Sequence, residues 1–132
     1  MGNYGADTSI LRTNVDTLTS TSWHGWTGMG VSQGTARGIA KSPDDPTFAE
    51  GDILVAHMTL PKHIPQMRLA SGIATDIGSA TCHAAIHARE LGKPCVVATG
   101  SATSLEGHEV EIDVGGYDDA HIVARHETKG DS

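Results

Sequence analysis

Apolar positions along this chain fall in short runs that are separated by turns rich in glycine and proline. The largely apolar runs at 53–58 and 95–99 predict buried strands, because a strand covered on both faces needs no polar alternation. Residues 110–113 alternate between apolar and polar side chains, which predicts a strand with one exposed face. Further short strands are predicted at 35–40, 72–76 and 122–124.

Two segments carry helical signals. Residues 61–70 are predicted to form a helix that starts only near Pro65, because proline is tolerated in the first turn of a helix and not deeper. A second helix is predicted at about 82–91, with Thr81 as its N-cap. Gly92 ends this second helix, since glycine readily adopts the left-handed conformation found at helix C-termini.

The order of these elements predicts the fold class. Strands outnumber helices, and residues 72–99 show the order strand, helix, strand, which indicates a mixed α/β domain. We expect a small mixed sheet or sandwich with helices packed on one side. The predicted domain covers 27–125, with a flexible or loosely docked lead-in at 1–26 and a frayed tail at 126–132.

Composition narrows the classes of partner. The chain has 132 residues and a net charge of −7, and its lysines and arginines are scattered rather than gathered in a stripe. This distribution argues against nucleic acids and anionic membranes as partners. No apolar run approaches the roughly 20 residues of a membrane-spanning helix. Cys82 and Cys95 lack the spacing of a metal finger, which favours reduced thiols in a cytoplasmic protein.

The second helix places its residues in two sectors when they are set at about 100° per position. Small and apolar side chains share the sector that would face the core: Ala84, Ala85, Ala88 and Leu91. The opposite sector holds His83, Ile86, His87 and Glu90. We therefore expect the His83 ring to face solvent at the amino end of the helix.

A histidine in this place is suited to carry a phosphoryl group. Backbone N–H groups in the first turn of a helix lack intrahelical partners and bind phosphate oxygens. The helix dipole adds about 0.3–1 kcal/mol for an anion at that end. An imidazole is substantially neutral near pH 7, so the ring of His83 is available as a nucleophile.

Two other chemistries remain open on the residues alone. His83, His87 and Glu90 lie on one helix face at a spacing that zinc ligands also use, although Ala84 stands where a metalloprotease helix has glutamate. Cys82 is a candidate thiol nucleophile, because a helix N-terminus lowers the pKa of a thiol. An ordinary surface histidine is the third interpretation of His83.

Several separated blocks resemble one known family. They read GIATD at 72–76, TCHAAI at 81–86 and ARELGKP at 88–94, with GDILVA at 51–56 followed by Thr59 and Pro61. These blocks resemble the phosphohistidine domain, also called the swivelling or mobile domain, of the phosphoenolpyruvate-utilising enzymes. The form Thr-Cys-His is most similar to the phosphoenolpyruvate synthase and pyruvate phosphate dikinase branches. The resemblance covers about residues 28–125.

The resemblance implies a swivelling β/β/α fold and roles for particular residues. By it, His83 is the residue that is phosphorylated and dephosphorylated. Thr81 aligns with the threonine that regulatory kinases modify in the synthase and dikinase branches, and Cys82 stands beside the phosphate. Arg89 belongs to the motif but lies about 240° around the helix from His83, so we expect it to tie down a loop or form a salt bridge.

The chain departs from the family pattern at two places near His83. Ser79 replaces the second glycine of a Gly-Gly turn that begins at Gly78, and His87 stands where an aliphatic residue is usual. Gly78, Ser79 and His87 are therefore candidate contacts for the phosphate or for a partner.

The resemblance also implies the reaction. The chain is expected to be a component of a phosphotransferase with paired acceptors, one that is not competent alone. Its His83 would take a phosphoryl group from ATP, bound with Mg²⁺ on an ATP-grasp partner, and pass it to pyruvate or another small molecule on an acceptor-binding partner. The alternatives are a sugar-phosphotransferase-like relay with phosphoenolpyruvate as donor, and a non-catalytic or metal-binding module of the same fold.

Overall fold

The computed structural model describes the backbone of residues 21–127 and the side chains of residues 25–124. Two α-helices are present there, α1 (Ile64–Leu69) and α2 (His83–Leu91), with 3-10 turns at Pro61–His63 and Ala102–Leu105. Within these described residues, no helix has the length and apolar character needed to cross a bilayer. The strands are β1 (Thr21–Thr27), β2 (Met29–Ser32), β3 (Gly34–Lys41), β4 (Ile53–Ala56), β5 (Gly72–Thr75), β6 (Cys95–Val97), β7 (Glu109–Gly116) and β8 (Asp119–Glu127).

The eight strands form one mixed sheet in the order β1-β8-β7-β3-β4-β5-β6-β2. The four central strands β3, β4, β5 and β6 run parallel, and the other pairs are antiparallel. The sheet also curls back on itself. Gly28 N–H donates to the carbonyl of Ala120 (3.1 Å), and Gly30 N–H donates to the carbonyl of Tyr117 (3.0 Å). These bonds join the strand at one edge to the β7–β8 hairpin.

The core consists of two apolar clusters on opposite faces of the parallel strands. Along β4, Ile53 and Val55 belong to one cluster, and Leu54 and Ala56 belong to the other. The first cluster is completed by the hairpin, the second by the helices. The molecule therefore has the three layers β/β/α with its helices on one side, which confirms the predicted mixed α/β class. Hairpin and helix residues that complete the clusters include Val110, Ile112, Ile122, Met67, Ala84, Ala85 and Ala88.

Most predicted elements are present, with shifted ends. The strand predicted at 53–58 ends at Ala56, and the strand predicted at 95–99 ends at Val97. The hairpin strands β7 and β8 extend well beyond the predicted 110–113 and 122–124, because backbone pairing continues past the last apolar side chain. Strand β2 escaped prediction, since four residues that include a glycine carry no periodic signal.

The chain ends differ from the predicted lead-in and tail. Strand β1 pairs with β8 along its whole length, from Thr21 opposite Glu127 to Thr27 opposite His121. Residues 21–26 and 126–127 are therefore part of the sheet rather than of a loose lead-in and a frayed tail. This strand mixes polar residues with Trp23 and Trp26, and its ladder hydrogen bonds need no apolar pattern. The rest of both predicted segments, 1–20 and 128–132, lies outside the described residues.

We predict that Gly30→Ala destabilises the fold. A Cβ at this position would lie 2.1 Å from the Gly116 carbonyl oxygen and 2.8 Å from Val114 Cγ1, so the hairpin and β2 would have to separate. Overpacking of this kind costs about 1–3 kcal/mol, which should lower the thermal unfolding midpoint by several degrees. Gly116→Ala is the matched control, because a Cβ there meets no atom within 4 Å. Equal midpoints for the two variants would contradict this account.

Candidate functional site

The candidate site lies at the carboxyl ends of β4 and β5, which are neighbouring parallel strands. Ala56 ends β4 and pairs with Thr75, which ends β5. The segment after β4 carries Thr59, and the segment after β5 leads into α2 at His83. Because parallel strands end at the same edge of a sheet, these two connections meet there.

A compact turn sets the start of α2. Gly78 has φ +148°, and a Cβ there would lie 3.0 Å from Val97 Cβ and 3.1 Å from Cys82 Sγ, so only glycine fits. Cys82 N–H donates to the Ser79 carbonyl (3.2 Å). The Ser79 hydroxyl accepts from Thr81 N–H and lies 3.3 Å from the Thr81 hydroxyl.

The N-cap of α2 is Cys82, and the prediction of Thr81 was wrong by one residue. The Thr81 hydroxyl pairs with Ser79 in the turn and so does not reach the helix amides. In the described part of the chain, no side chain caps this helix end. The amides of its first turn are thus open to an external anion.

Arg89 holds the turn from the far side of the helix. Its Nε donates to the Val31 carbonyl (2.8 Å), and its Nη2 donates to the Ala80 carbonyl (2.6 Å). The guanidinium therefore ties α2 to β2 and to the turn before the helix. This confirms the prediction that Arg89 secures a loop.

The His83 ring is half-buried rather than solvent-facing, so the expectation of an exposed ring was wrong. Its Nδ1 lies 2.9 Å from the hydroxyl oxygen of Thr59, whose side chain is buried. Its Nε2 is buried and has no hydrogen-bond partner among the described residues. A helical wheel shows only which side of α2 carries the ring. It cannot show that the connection after β4, which comes from another part of the chain, lies against that side.

A pocket of about 100 Å³ lies against the His83 ring. Thr59 and the side chains of Met58 and Ile77 line it, together with residues from the turn before α2. Met58 is 48% exposed and Ile77 is 47% exposed, so the rim of the pocket is apolar and accessible. Gly78 and Cys82, two of the predicted site residues, lie in this pocket wall, whereas Ser79 and Thr81 are exposed on the turn above it.

His87 lies beside His83, one helical turn further along α2. The two ring centroids are 4.4 Å apart with the planes inclined at 55°. His87 Nδ1 is 3.2 Å from Glu90 Oε1, which orients the His87 ring. Across the described residues, no three His, Cys, Asp or Glu side chains are placed to share a metal ion. The alternative zinc site on His83, His87 and Glu90 is therefore not formed.

The two cysteines are free thiols. Cys82 is half-buried at the helix N-cap, beside the candidate nucleophile. Cys95 is fully buried in β6, and burial raises the pKa of its thiol, with the neighbouring Cys82 adding to the effect. The Cys95 thiol therefore remains protonated and packs in the apolar core.

The sequence did not single out Thr59, which contacts His83, or His63, whose ring contributes to the lowered pKa of His83. Thr59 lies just after a block that resembles the family, and His63 lies just before the predicted helix start near Pro65. The available signal for Thr59 was its place just after a buried parallel strand, where ligand-binding side chains concentrate. Nothing in the local pattern marked His63.

The pKa of His83 is lowered from the ordinary histidine value of 6.5. Burial is the largest cause, and the neighbouring rings of His87 and His63 contribute further. The imidazole is thus held neutral, with a free nitrogen lone pair, at neutral pH. The unfolded chain binds a proton at His83 more readily than the folded chain does. The contribution of His83 to stability is therefore fully present above its unfolded pKa and is lost as the pH falls through its lower, folded-state pKa.

We predict that His83 titrates below the usual range of histidine in an NMR pH titration of its ring carbon-bound protons. The resonance is assigned by its loss in His83→Asn. In His87→Asn the titration midpoint of His83 should move back toward the ordinary value, because one source of positive charge is gone. A wild-type midpoint at or above about 6.5 would contradict the observed burial of the ring.

Comparisons with known proteins identify the family of this chain. The family described as "PEP-utilising enzyme, mobile domain" matches residues 48–116, more than half of the chain. A probable phosphoenolpyruvate synthase of Methanothermobacter thermautotrophicus is 50% identical over 92 residues, 65% of this chain. The phosphoenolpyruvate synthase of Neisseria meningitidis serogroup B is 44% identical over 99 residues, 74% of this chain.

The matched region is a small part of those relatives. It covers 14% of the Methanothermobacter protein and 12% of the Neisseria protein. Among solved structures, an NMR solution structure of an Enzyme I protein (nEIt) shares 32% identity at a TM-score of 0.48, over 68% of this chain and 37% of that one. Because the family model matches more than half of its residues, the chain belongs to the mobile-domain family of the PEP-utilising enzymes.

Proposed function

We propose that this chain is a phosphohistidine carrier, with His83 as the residue that accepts and donates the phosphoryl group. The observation that carries the proposal is the state of the His83 ring. One nitrogen is held by Thr59, and the other has no partner in the described residues and lies at an uncapped helix start. The membership of the PEP-utilising family supports the same function.

The hydrogen bond to Thr59 selects Nε2 as the reacting atom. A buried N–H without an acceptor is rarer in proteins than a buried acceptor without a donor. Since Nε2 has no partner, the ring proton belongs on Nδ1, where it is donated to Thr59 Oγ1. This tautomer leaves the lone pair on Nε2.

The transfer step follows from that tautomer. The Nε2 lone pair forms a bond to the phosphorus atom of the donor, the bond from phosphorus to the donor oxygen breaks, and its electron pair leaves with that oxygen. Because Nδ1 keeps its proton toward Thr59, the phosphorylated ring is positively charged. In the second step an acceptor oxygen attacks the phosphorus, the bond from phosphorus to Nε2 breaks, and the His83 ring leaves as neutral imidazole.

The start of α2 would stabilise the transferred group. The first-turn amides that follow His83 have no side-chain acceptor in the described part of the chain and would donate to phosphoryl oxygens. Ser79 and Thr81 add hydroxyl groups on the exposed turn, and Gly78 lets that turn approach closely. We infer that Cys82 and His87 flank the phosphate and that Thr81 is the site of a regulatory phosphorylation.

The donor and acceptor sites are proposed to lie outside this chain. Because the curated relatives are named phosphoenolpyruvate synthase, we propose ATP as the donor and pyruvate or a similar small molecule as one of the paired acceptors. An ATP-grasp domain or protein would hold ATP with Mg²⁺, and a separate site would hold the acceptor. The carrier is inactive alone and works in the cytoplasm.

We predict that the chain takes up one acid-labile, base-stable phosphoryl group at His83. Incubation with ATP labelled on its β or γ phosphate, Mg²⁺ and a matched ATP-grasp domain should label the wild type, with parallel incubations using labelled phosphoenolpyruvate. His83→Ala should lose the label entirely, because His83 is the only histidine among the described residues that line the pocket at the start of α2. Peptide mapping locates the label.

His121→Asn is the matched control, since His121 lines a different surface depression and shares no pocket residue with His83. It should be labelled as fast as the wild type. Label that persists in His83→Ala would overturn the proposal, and label that disappears in Cys82→Ala alone would favour the thiol instead. Labelling from phosphoenolpyruvate but not from ATP would replace the proposed donor and leave the carrier role intact.

A further inference from the structure

His63 is a buried histidine whose two ring nitrogens are both engaged. Its Nδ1 accepts a hydrogen bond from Leu60 N–H at 3.0 Å, and its Nε2 lies 3.2 Å from Asp44 Oδ1. The residue is only 6% exposed, although it ends a short 3-10 turn at the protein surface. A histidine that is fixed at both nitrogens and buried has a single orientation.

The two contacts also fix the protonation of the His63 ring. Leu60 N–H can only donate, so His63 Nδ1 must be the nitrogen without a proton. The carboxylate of Asp44 can only accept, so Nε2 must carry the proton. The neutral ring protonated on Nε2 satisfies both partners, and a proton added to Nδ1 would break the bond to Leu60.

His63 contacts both the backbone N–H and the backbone carbonyl of Leu60. Besides accepting from Leu60 N–H, it donates its own N–H to the Leu60 carbonyl at 2.8 Å. The Leu60 nitrogen belongs to the peptide plane that begins at Thr59, so the bond to Nδ1 fixes the orientation of that plane. Thr59 has a stiff, β-branched side chain, and its hydroxyl position therefore follows its backbone.

The Thr59 hydroxyl is the group that binds His83 Nδ1, at 2.9 Å. A continuous series of contacts thus runs from the His63 ring through the 59–60 peptide to the reacting histidine. We propose that His63 is a positioning residue, which holds Thr59 so that the proton of His83 stays on Nδ1 and its lone pair stays on Nε2. The consequence for phosphoryl transfer rests on the proposed carrier function, whereas the effect on the His83 tautomer does not.

Other charged groups near His63 do not replace this contact. Asp44 is 67% exposed and bonds to the opposite nitrogen. His57 and Glu106 line the same surface depression, and Lys62 precedes His63 in the chain, but no contact joins them to Leu60 N–H. His83, on α2, contacts Thr59 rather than His63.

Two substitutions separate the hydrogen bond from simple packing. In His63→Asn, the amide oxygen can occupy the place of Nδ1 and accept from Leu60 N–H, although the side chain is smaller. In His63→Phe, the ring volume is kept and the acceptor is lost. Thr59→Val removes the last contact in the series with almost no change of shape.

The readout is the tautomer of His83, measured from the ¹⁵N shifts of its ring nitrogens in the full chain at a pH well above the ordinary histidine pKa. We expect the wild type and His63→Asn to carry the His83 proton on Nδ1. His63→Phe and Thr59→Val should both give a mixture of tautomers. The double variant His63→Phe, Thr59→Val should show no further change, because both substitutions break the same series of contacts.

Label uptake at His83 provides a second readout. The initial rate should fall about threefold to tenfold in His63→Phe, as expected for the loss of one positioning hydrogen bond, and should recover in His63→Asn. His121→Asn controls for replacing a histidine outside the site. The proposal would be overturned if His83 kept the wild-type tautomer in His63→Phe. It would also be overturned if the rate of label uptake fell in His63→Asn and stayed at the wild-type value in His63→Phe, since His63 would then have only a packing role. If the wild type takes no label but the tautomer responds as expected, the carrier function fails and the positioning role stands.

Discussion

The parallel pairing of β4 with β5 is the constraint on which the candidate site depends. The register that sets Ala56 opposite Thr75 brings the connection after β4 to the same sheet edge as the start of α2. Both strands are buried on both faces, by the β7–β8 hairpin on one side and by the helices on the other. A slip of one residue would exchange the two apolar sets and move Thr59 away from His83.

Burial of the His83 ring combines two effects that favour phosphoryl transfer. The loss of hydration lowers the pKa of His83, so the ring is neutral when it meets a donor. The Thr59 hydroxyl engages Nδ1, so the neutral ring offers one defined nitrogen. An exposed histidine on the same helix face would have the nucleophile but neither the lowered pKa nor the fixed orientation.

Several contacts hold the turn before α2, and they explain why glycine occupies position 78 in the turn and arginine occupies position 89 on the helix. Gly78 permits the close approach to β6, and Arg89 fastens the carbonyl of Ala80 and the neighbouring strand β2. On the other side, His63 fastens the 59–60 peptide. The His83 side chain therefore lies between two independently anchored connections. This pre-organisation reduces the cost of ordering the site when a partner binds.

Local patterns in the sequence predicted the mixed α/β class, most of the strands, the extent of α2 and His83 as the candidate carrier. These follow from local information: apolar runs, a glycine after the helix, and motif blocks that occur in one order. Only the tertiary structure shows that Thr81 does not cap α2, that His83 is half-buried and that the Thr59 hydroxyl contacts His83. It also decided that residues 21–26 join the sheet through β8. Each of these depends on contacts between distant parts of the chain, such as the 24 positions from Thr59 to His83, which no local pattern of residues specifies.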